Sequence, residues 1–210
     1  MNDTATILLF GGTFDPPTRA HAMLPPRAAE LIGAEQLLYV PAAISPHKLD
    51  QVPTPAEHRV AMLGLALDEV ENVQVRTMEL DRDGPSYSVD TVRSLREEFH
   101  DGTVLRLLIG DDQAVAFHRW KDWKAIMDLA EPLVLPRGYD SPEGFADAMR
   151  ACGGGWNDSE IEQWCRRRLD LPCMTMCSQE VRFQLESGGE ADEELDLDVR
   201  KYIRNQGLYR

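Results

Sequence analysis

The sequence lacks long apolar runs, and none of its hydrophobic stretches approaches the ~20 residues of a membrane-spanning helix. Its first residues, MNDTATILLF, contain neither a basic segment nor a small-residue cleavage site, so they are not typical of a signal peptide. Positive charge is also scarce, because 22 Lys and Arg stand against 36 Asp and Glu, a net charge of −14. Such a surface repels phosphate backbones and anionic lipids, which disfavours nucleic-acid and membrane partners. A cytoplasmic protein is expected.

Cysteine is scarce as well. The four thiols belong to Cys152, Cys165, Cys173 and Cys177. They form no C-x-x-C pair, and no histidine lies between them or after them. Zinc requires four ligands at suitable spacing, which four scattered thiols supply in number only. The pattern favours reduced, partly buried side chains in a reducing compartment, with a zinc site as the alternative.

What the sequence does contain is an alternation of short apolar runs and amphipathic segments within 210 residues, enough for one domain. The apolar runs predict strands at residues 6–10, 36–40, 73–75, 104–109 and 132–136. Helical spacing predicts helices at residues 21–32, 56–67, 88–99, 125–130, 158–169, 178–185 and 198–205. Strands that alternate with helices imply parallel βαβ units, so we expect an α/β fold with a Rossmann-like, doubly wound parallel sheet.

No internal repeat and no long linker divides the chain. Residues 1–210 are therefore expected to form one domain, with residues 176–210 as a small helical C-terminal part. Pro25 and Pro26 lie inside the first predicted helix and favour a kink or a restart there. Ser88 is the expected cap of the third predicted helix.

The loop GGTFDPPTRAH, from Gly11 to His21, separates the first strand from the first helix. In open parallel sheets, ligands bind beyond the carboxyl ends of the strands. Glycines there let main-chain N–H groups approach an anion, and a helix start adds partial positive charge. Thr18 and His21 are three residues apart, so they share one face once helical. The spacing predicts a phosphate cradle, and a tight turn with a capping threonine and a surface histidine fits it equally well.

Six further patterns follow this loop along the chain. They are YVP with PHK at 39–48, EHR with ML at 57–63, SYSVDT at 86–91, LIGDD at 108–112, WKDW at 120–123 and VRKYIRNQGLY at 199–209. Together with GGTFDPPTRAH they resemble, in the same order and over nearly the whole chain, the motifs of the nucleotidyltransferase superfamily. Within that superfamily, the sequence most resembles the bacterial nicotinate-nucleotide adenylyltransferases. Seven weak patterns in order are much more specific than any one of them.

The resemblance implies an ATP-binding enzyme of NAD biosynthesis. The 5′-phosphate of nicotinate mononucleotide would attack the α-phosphorus of ATP in line, giving deamido-NAD and pyrophosphate, with Mg²⁺ carried by the ATP phosphates. Such a transfer needs positioning and charge stabilisation rather than a covalent enzyme intermediate. Adenylyl or cytidylyl transfer to another phosphate acceptor is the alternative within the fold, which the SYSVDT, WKDW and final GLY patterns disfavour.

The resemblance also implies which residues bind ATP. The implied catalytic set is Thr18, His21, Lys48 and Arg182. Close backbone approach and further phosphate contacts would come from Gly11, Gly12, Thr13, Phe14, Ser178 and Gln179. His21 would steady the charge that builds on the α-phosphate and the leaving group. Lys48 would reach a phosphate as a mobile cation, and Arg59 would support it or the loop.

For the mononucleotide, the resemblance implies an aromatic side chain against the nicotinate ring and main-chain amides around its carboxylate. The expected carboxylate loop consists of Ser86, Tyr87 and Ser88. Trp120 is the expected stacking partner, because an indole face pairs well with an electron-poor ring. Asp112 follows a strand and suits a ribose hydroxyl. Core packing is the alternative for Trp120 and Trp123, and a helix cap is the alternative for Asp112.

The chain departs from the family pattern at its phosphate-binding positions. Cys177 and Gln179 flank Ser178 where the family has hydroxyl residues, and Ala20 stands where it has glycine. Each lost donor would weaken transition-state binding by roughly 1–3 kcal/mol, so two losses would lower the rate about a hundredfold. A nucleotide-binding regulatory homologue with little or no turnover is therefore a second hypothesis, against which the retained histidine, lysine and arginine count.

Overall fold

Five parallel strands form one sheet in a computed structural model that describes residues 5–46, 52–174 and 178–210. The strands are β1 (Thr6–Gly12), β2 (Gln36–Pro41), β3 (Val73–Val75), β4 (Val104–Gly110) and β5 (Glu131–Leu135). Their order is β3-β2-β1-β4-β5, which is the doubly wound arrangement expected from the sequence. Each strand lies within two residues of its predicted bounds. Lys48 and Cys177 lie outside the described residues.

Helices cover both faces of the sheet and continue beyond it. They are α1 (Arg19–Leu31), α2 (Ala56–Ala66), α3 (Ser88–Glu98), α4 (Asp111–Ala116), α5 (Trp123–Leu129), α6 (Pro142–Ala151), α7 (Asp158–Arg167), α8 (Ser178–Glu186) and α9 (Leu197–Gln206). The seven predicted helices are present, whereas α4 and α6 were not predicted. Within the described ranges, no helix is both long and apolar enough to cross a membrane.

Most residues of β2, β4 and β5 and the first half of β1 are buried, and their side chains alternate between two cores, whereas the edge strand β3 has no fully buried residue. In β1, Ile7 and Leu9 join the core formed with α3, α5, α6 and α7, whereas Leu8 joins the core formed with α1 and α2. Tyr39 of β2 belongs to the second core and is fully buried. The strand period therefore places Tyr39 beneath α1, the helix that follows the glycine-rich loop.

Of the predicted kink or restart of the first helix, the restart is wrong, because α1 runs as one helix through Pro25 and Pro26. The kink stays a prediction. Proline has no N–H to bond the carbonyl four residues earlier, which for Pro25 is the carbonyl of His21. The hydroxyl of Tyr39 donates to this carbonyl at 2.6 Å instead. A side chain from the sheet thus replaces a missing main-chain donor, and the helix continues.

The segment 138–171, whose sequence shows little pattern before its predicted helix, contains α6 and α7. The Ser141 hydroxyl accepts the N–H of Gly144, and Pro142 is the first residue of α6. A capping serine followed by proline is a common helix start, so this dipeptide was the signal that the sequence analysis missed.

All four tryptophans of the chain meet around Phe117 in what we call the tryptophan cluster. The Phe117 ring centroid lies 5.1 Å from that of Trp120, 6.4 Å from Trp123 and 5.3 Å from Trp164. Trp156 lies 5.1 Å from Trp123 and 5.8 Å from Trp164. Trp164 of α7 is only 1% exposed. Two rings of the segment 138–171, those of Trp156 and Trp164, therefore pack in the same cluster as the tryptophans of the WKDW pattern.

The C-terminal helices form a third core with α2. Its buried members are Met62, Val181, Ala191, Leu195, Val199 and Ile203. Arg19, the first residue of α1, donates its N–H to the carbonyl of Glu194 at 2.7 Å and its Nε to that of Leu195 at 3.1 Å. These bonds connect the C-terminal part to the start of α1. That residues 1–210 behave as one domain stays a prediction.

Replacing Trp164 by alanine is expected to lower the free energy of unfolding by about 3–5 kcal/mol, because a fully buried ring is removed from a packed cluster. Urea unfolding followed by circular dichroism measures the change. Phe183→Ala removes a ring that is 73% exposed and is expected to change stability by about 0.5 kcal/mol at most. Equal effects of the two substitutions would contradict this account of the cluster.

Candidate active site

The loops that follow β1, β2, β4 and β5 meet at the carboxyl edge of the sheet. β1 and β4 are neighbours, but the chain leaves β1 toward β2 and only later returns to β4. The topological switch point therefore lies between β1 and β4, where ligands bind in sheets of this kind. The glycine-rich loop follows β1 and the LIGDD pattern ends β4, so both flank this point.

Gly11 and Gly12 end β1 in different surroundings. Gly11 is exposed, and a Cβ there would approach no atom closer than the Val40 carbonyl at 3.9 Å. A Cβ on Gly12 would lie 3.0 Å from the ring of Phe14, which is 1% exposed and has a φ of 51°. Gly12 therefore makes room for Phe14, whereas Gly11 leaves open space beside the main chain.

Thr18 and His21 form a capping box at the start of α1. The main-chain N–H of Thr18 donates to Nδ1 of His21 at 3.0 Å, and the Thr18 hydroxyl lies 2.7 Å from the same nitrogen. Because Nδ1 accepts from a main-chain N–H, it carries no proton, and the proton of the neutral imidazole sits on Nε2. The ring therefore offers an Nε2–H donor to a ligand.

Aromatic rings surround the His21 imidazole. Phe14 contacts it edge to face with centroids 5.4 Å apart, and Phe10 lies at 6.2 Å. Burial, together with the positive charge of Arg137, lowers the pKa of His21 to about 4. His21 is therefore a neutral hydrogen-bond donor at pH 7. A triphosphate bound beside the ring would raise this pKa, because negative charge favours the imidazolium.

Arg59 of α2 connects three loops and is 1% exposed. Its guanidinium donates to the carbonyls of Thr54 at 2.8 Å, Thr13 at 2.7 Å and Ala42 at 2.8 Å. These carbonyls belong to the segments before α2, after β1 and after β2. Of the two roles expected for Arg59, support of the loop is therefore the one that the contacts show.

Asp15 and Tyr209 were not predicted at the site, yet they join the first and last sequence patterns. Asp15 Oδ1 accepts the Tyr209 hydroxyl at 2.5 Å, and Oδ2 accepts the N–H of Thr54 at 3.1 Å. Burial and the negative charge of Asp15 raise the pKa of Tyr209, so its phenol remains a donor. Asp15 lies in GGTFDPPTRAH and Tyr209 in VRKYIRNQGLY, but sequence order does not reveal that these two patterns touch.

The start of α8 reaches the same loop. Arg182 donates from its guanidinium to the carbonyl of Asp15 at 2.5 Å, and the Ser178 hydroxyl donates to that of Pro16 at 2.8 Å. Gln179 is exposed beside them. The structure thus brings Ser178 and Arg182 onto the segment that leads into Thr18 and His21, so the two helix starts lie side by side.

The start of α3 contains the three residues expected around the nicotinate carboxylate. Ser86 is 8% exposed. Its Oγ accepts the N–H of Ala43 at 2.9 Å, and its own N–H donates to the carbonyl of Ile44 at 2.8 Å. The prediction that Ser88 caps α3 is wrong, because Tyr87 occupies the capping position and no side chain there bonds the helix start. Asp90 and Thr91 donate their N–H groups to the Tyr87 carbonyl, so the N–H groups of Ser88 and Val89 are the ones that an anion could use.

Trp120 lies half-buried at the edge of the tryptophan cluster, against Phe117. Lys121 lies 4.3 Å from the centre of the Tyr87 ring and donates to Asp90 at 3.1 Å. These contacts bring the segment that carries Trp120 next to the start of α3, so the expected stacking residue and the expected carboxylate loop are neighbours. Trp123 instead packs between two other rings of the cluster, as its core-packing alternative describes.

Asp111, rather than Asp112, is the buried acid after β4. It is fully buried, and its carboxylate accepts two main-chain N–H groups of the loop after β5 at 2.7 and 3.3 Å. Asp112 is partly exposed, lies 3.7 Å from Arg137 and does not cap α4, whose capping position is a glycine. Arg137, which the sequence analysis missed, therefore places positive charge near both Asp112 and His21.

The model of the cytidylyltransferase-like family matches residues 9–151 of this chain, from β1 through α6. A curated protein of Chromobacterium violaceum, named probable nicotinate-nucleotide adenylyltransferase, is 32% identical over 98% of this chain and 99% of its own length. Its namesake in Albidiferax ferrireducens is 34% identical over 96% of both chains. The namesake in Yersinia enterocolitica is 29% identical over 96% of this chain and 94% of its own.

Solved structures of low sequence identity share the fold. A Plasmodium falciparum nicotinic acid mononucleotide adenylyltransferase complexed with APC aligns with a TM-score of 0.72 at 17% identity, over 98% of this chain and 97% of that one. A putative nicotinate-nucleotide adenylyltransferase from Vibrio parahaemolyticus aligns with a TM-score of 0.67 at 16% identity, over 98% and 96%.

We expect the His21 ring to stay neutral, with its proton on Nε2, as the pH falls from 8 toward its pKa of about 4. An unfolded chain takes up this proton near the ordinary pKa of 6.5, so the folded state loses stability as the pH falls between about 6.5 and 4. Nitrogen-15 NMR of the imidazole and unfolding free energies of wild type and His21→Gln measure the two effects. A ring that charges near pH 6.5 would contradict its burial.

Proposed function

The chain belongs to the nicotinate-nucleotide adenylyltransferase family of cytidylyltransferase-like proteins, and from this membership we propose that it transfers the adenylyl group of ATP to nicotinate mononucleotide. The products are deamido-NAD and pyrophosphate. Its relatives carry the enzyme's name, which does not favour the alternative of a regulatory homologue without turnover.

One observation carries this proposal, namely that two helix starts converge on one loop. Thr18 and His21 begin α1, while Ser178 and Arg182 of α8 bond the carbonyls of the loop just before it. A helix start carries partial positive charge and unpaired N–H groups, which suit phosphate oxygens. Two such starts side by side, with an arginine and a neutral imidazole, suit a triphosphate better than a single phosphate.

In the proposed reaction, a 5′-phosphate oxygen of the mononucleotide attacks the α-phosphorus while the bond to pyrophosphate breaks. The Nε2–H of His21 donates to the α-phosphate, where charge shifts toward the leaving group. Because the capping box and the surrounding rings fix the imidazole, this donor needs no reorganisation during the reaction. Arg182 supplies positive charge to the departing phosphates. No protein atom becomes covalently bound.

We propose that ATP enters as its Mg²⁺ complex, so that the metal is part of the substrate. Across the described ranges, no three or more His, Cys, Asp or Glu side chains are grouped to hold a metal. Mg²⁺ commonly takes most of its ligands from substrate phosphates and water, and there it neutralises charge on the leaving group.

We further propose that the protein acts in the cytoplasm, where ATP is abundant and the free thiols of Cys152, Cys165 and Cys173 stay reduced.

The mononucleotide is proposed to bind between Trp120 and the start of α3. The nicotinate ring would stack on the exposed part of Trp120, and its carboxylate would accept N–H groups from the first turn of α3. Ser86 supports this arrangement indirectly, because its N–H and hydroxyl already bond the segment after β2. Asp112 remains available to a ribose hydroxyl through its partly exposed carboxylate.

The lost hydroxyls of the α8 start have a substitute in this proposal. The Ser178 hydroxyl bonds the Pro16 carbonyl, so it holds the loop. The exposed Gln179 amide is free to donate to a terminal phosphate, together with first-turn N–H groups of α8. Phosphate binding at this helix start therefore depends less on hydroxyl groups than it does in the family pattern.

Pyrophosphate release with Mg·ATP and nicotinate mononucleotide tests the proposed function, and turnover with nicotinamide mononucleotide is expected to be much slower. His21→Ala is expected to lower kcat about 100- to 1,000-fold, because it removes a preorganised donor to the transition state. His100→Ala is the matched control, since His100 is exposed and precedes β4 at the opposite edge of the sheet. ATP binding without pyrophosphate release in the wild type, or full turnover in folded His21→Ala, would overturn the proposal.

Trp120→Ala is expected to raise the KM for nicotinate mononucleotide about tenfold, the equivalent of about 1.4 kcal/mol of lost stacking, with little change in the KM for ATP. Trp120→Phe keeps an aromatic face and is expected to retain most of the affinity. Steady-state kinetics with each substrate varied in turn separates the two constants. A rise in the KM for ATP alone would place Trp120 outside the mononucleotide site.

A further inference from the structure

We propose that Tyr39 is a positioning residue for the His21 imidazole, an inference that rests on the proposed function. The Tyr39 hydroxyl donates to the main-chain carbonyl of His21 at 2.6 Å. Tyr39 lies on β2, on the face of the sheet that packs beneath α1, and is fully buried. It touches no substrate, so its effect on the reaction passes through the backbone of His21.

Pro25 is the reason why this bond is needed. In an α-helix the carbonyl of residue 21 accepts the N–H of residue 25, but here residue 25 is proline and has none. Without Tyr39, the His21 carbonyl would lack this donor on the side of α1 that packs against the sheet. The sheet therefore supplies the hydrogen bond that the helix sequence withholds, and it does so at the residue proposed to donate to the α-phosphate.

The Tyr39 hydroxyl is held in place more rigidly than a surface donor would be. Its ring packs against Phe10 with centroids 5.6 Å apart and against Phe14 at 5.8 Å. Both of these rings also contact the His21 imidazole. Burial raises the pKa of the Tyr39 phenol, which keeps the hydroxyl protonated and able to donate.

His21 is thus restrained at two points. The N–H of Thr18 fixes the ring through Nδ1, and Tyr39 fixes the main chain at the carbonyl. The first bond sets which nitrogen carries the proton, and the second sets how far the first turn of α1 stands above the sheet. Since catalytic donors must be held within about 0.5 Å of the productive geometry, loss of the second restraint is expected to impair turnover.

The test exchanges one donor for the other. Tyr39→Phe is expected to lower kcat about tenfold or more, with little change in the KM for nicotinate mononucleotide. In the double variant Tyr39→Phe/Pro25→Ala, the new N–H of residue 25 can donate to the His21 carbonyl, and kcat is expected to recover most of this loss. Pro25→Ala alone is expected to keep wild-type turnover, because the carbonyl then has a donor in either case.

Pro26→Ala is the matched control, because its new N–H faces the carbonyl of Ala22 rather than that of His21. Pro26→Ala gains the same helix propensity as Pro25→Ala. A rescue by general stabilisation of α1 would therefore appear in Tyr39→Phe/Pro26→Ala as well as in Tyr39→Phe/Pro25→Ala. Recovery is expected with Pro25→Ala only. Equal recovery in the two double variants, or wild-type kcat in folded Tyr39→Phe, would overturn the role of Tyr39.

The imidazole signals of His21 give a readout that does not depend on turnover. Nitrogen-15 NMR is expected to show a changed His21 ring environment in Tyr39→Phe and a return toward the wild-type signals after Pro25→Ala is added. An unchanged ring environment in Tyr39→Phe would count against the inference even where kcat falls. If the wild-type protein released no pyrophosphate, the proposed function would be wrong. The imidazole signals would still decide whether Tyr39 positions the ring.

Discussion

The carbonyl groups of the loop between β1 and α1 impose the constraint on which the rest of the structure depends. They lie outside any helix or strand, so each buried one needs a donor from elsewhere. Thr13, Asp15 and Pro16 receive theirs from Arg59, Arg182 and Ser178. Because these donors come from α2 and α8, the shape of the phosphate-facing loop is set by the whole fold. Tyr209 adds a bond across 194 positions of sequence.

The same loop reconciles an acidic protein with a substrate rich in negative charge. The chain carries a net charge of −14, yet Arg137 and Arg182 lie near His21 or on the loop that leads to it. A neutral imidazole is less costly to bury beside this positive charge than an imidazolium would be. The phosphates of the substrate would pair with this positive charge, while the ring donates to them from Nε2 as a neutral group. Local charge, rather than the overall charge, therefore determines which ligand the site prefers.

The strands themselves, the doubly wound class of the sheet and the glycine-rich loop could be predicted from sequence, because apolar runs and glycine positions are local features. Contacts between distant patterns could not. The LIGDD pattern does not show which aspartate turns inward, and the structure buries Asp111 against the loop after β5 while Asp112 stays partly exposed. Pro25 likewise predicts a kink or a restart of the helix, and the sequence does not show that Tyr39, 14 positions later, supplies a donor to the His21 carbonyl. The residues that reach the loop from α8 were expected, but their bonds to its carbonyls were not.

The gathering of every tryptophan around Phe117 also determines what light can report about this molecule. Indole rings in contact exchange excitation faster than they emit, so the ultraviolet emission of the chain comes from one small region. That region includes the layer formed by α6 and α7 and excludes the core that α8 and α9 form with α2. Emission followed during unfolding therefore reports directly on the packing of this cluster, and not directly on the core that α2, α8 and α9 share.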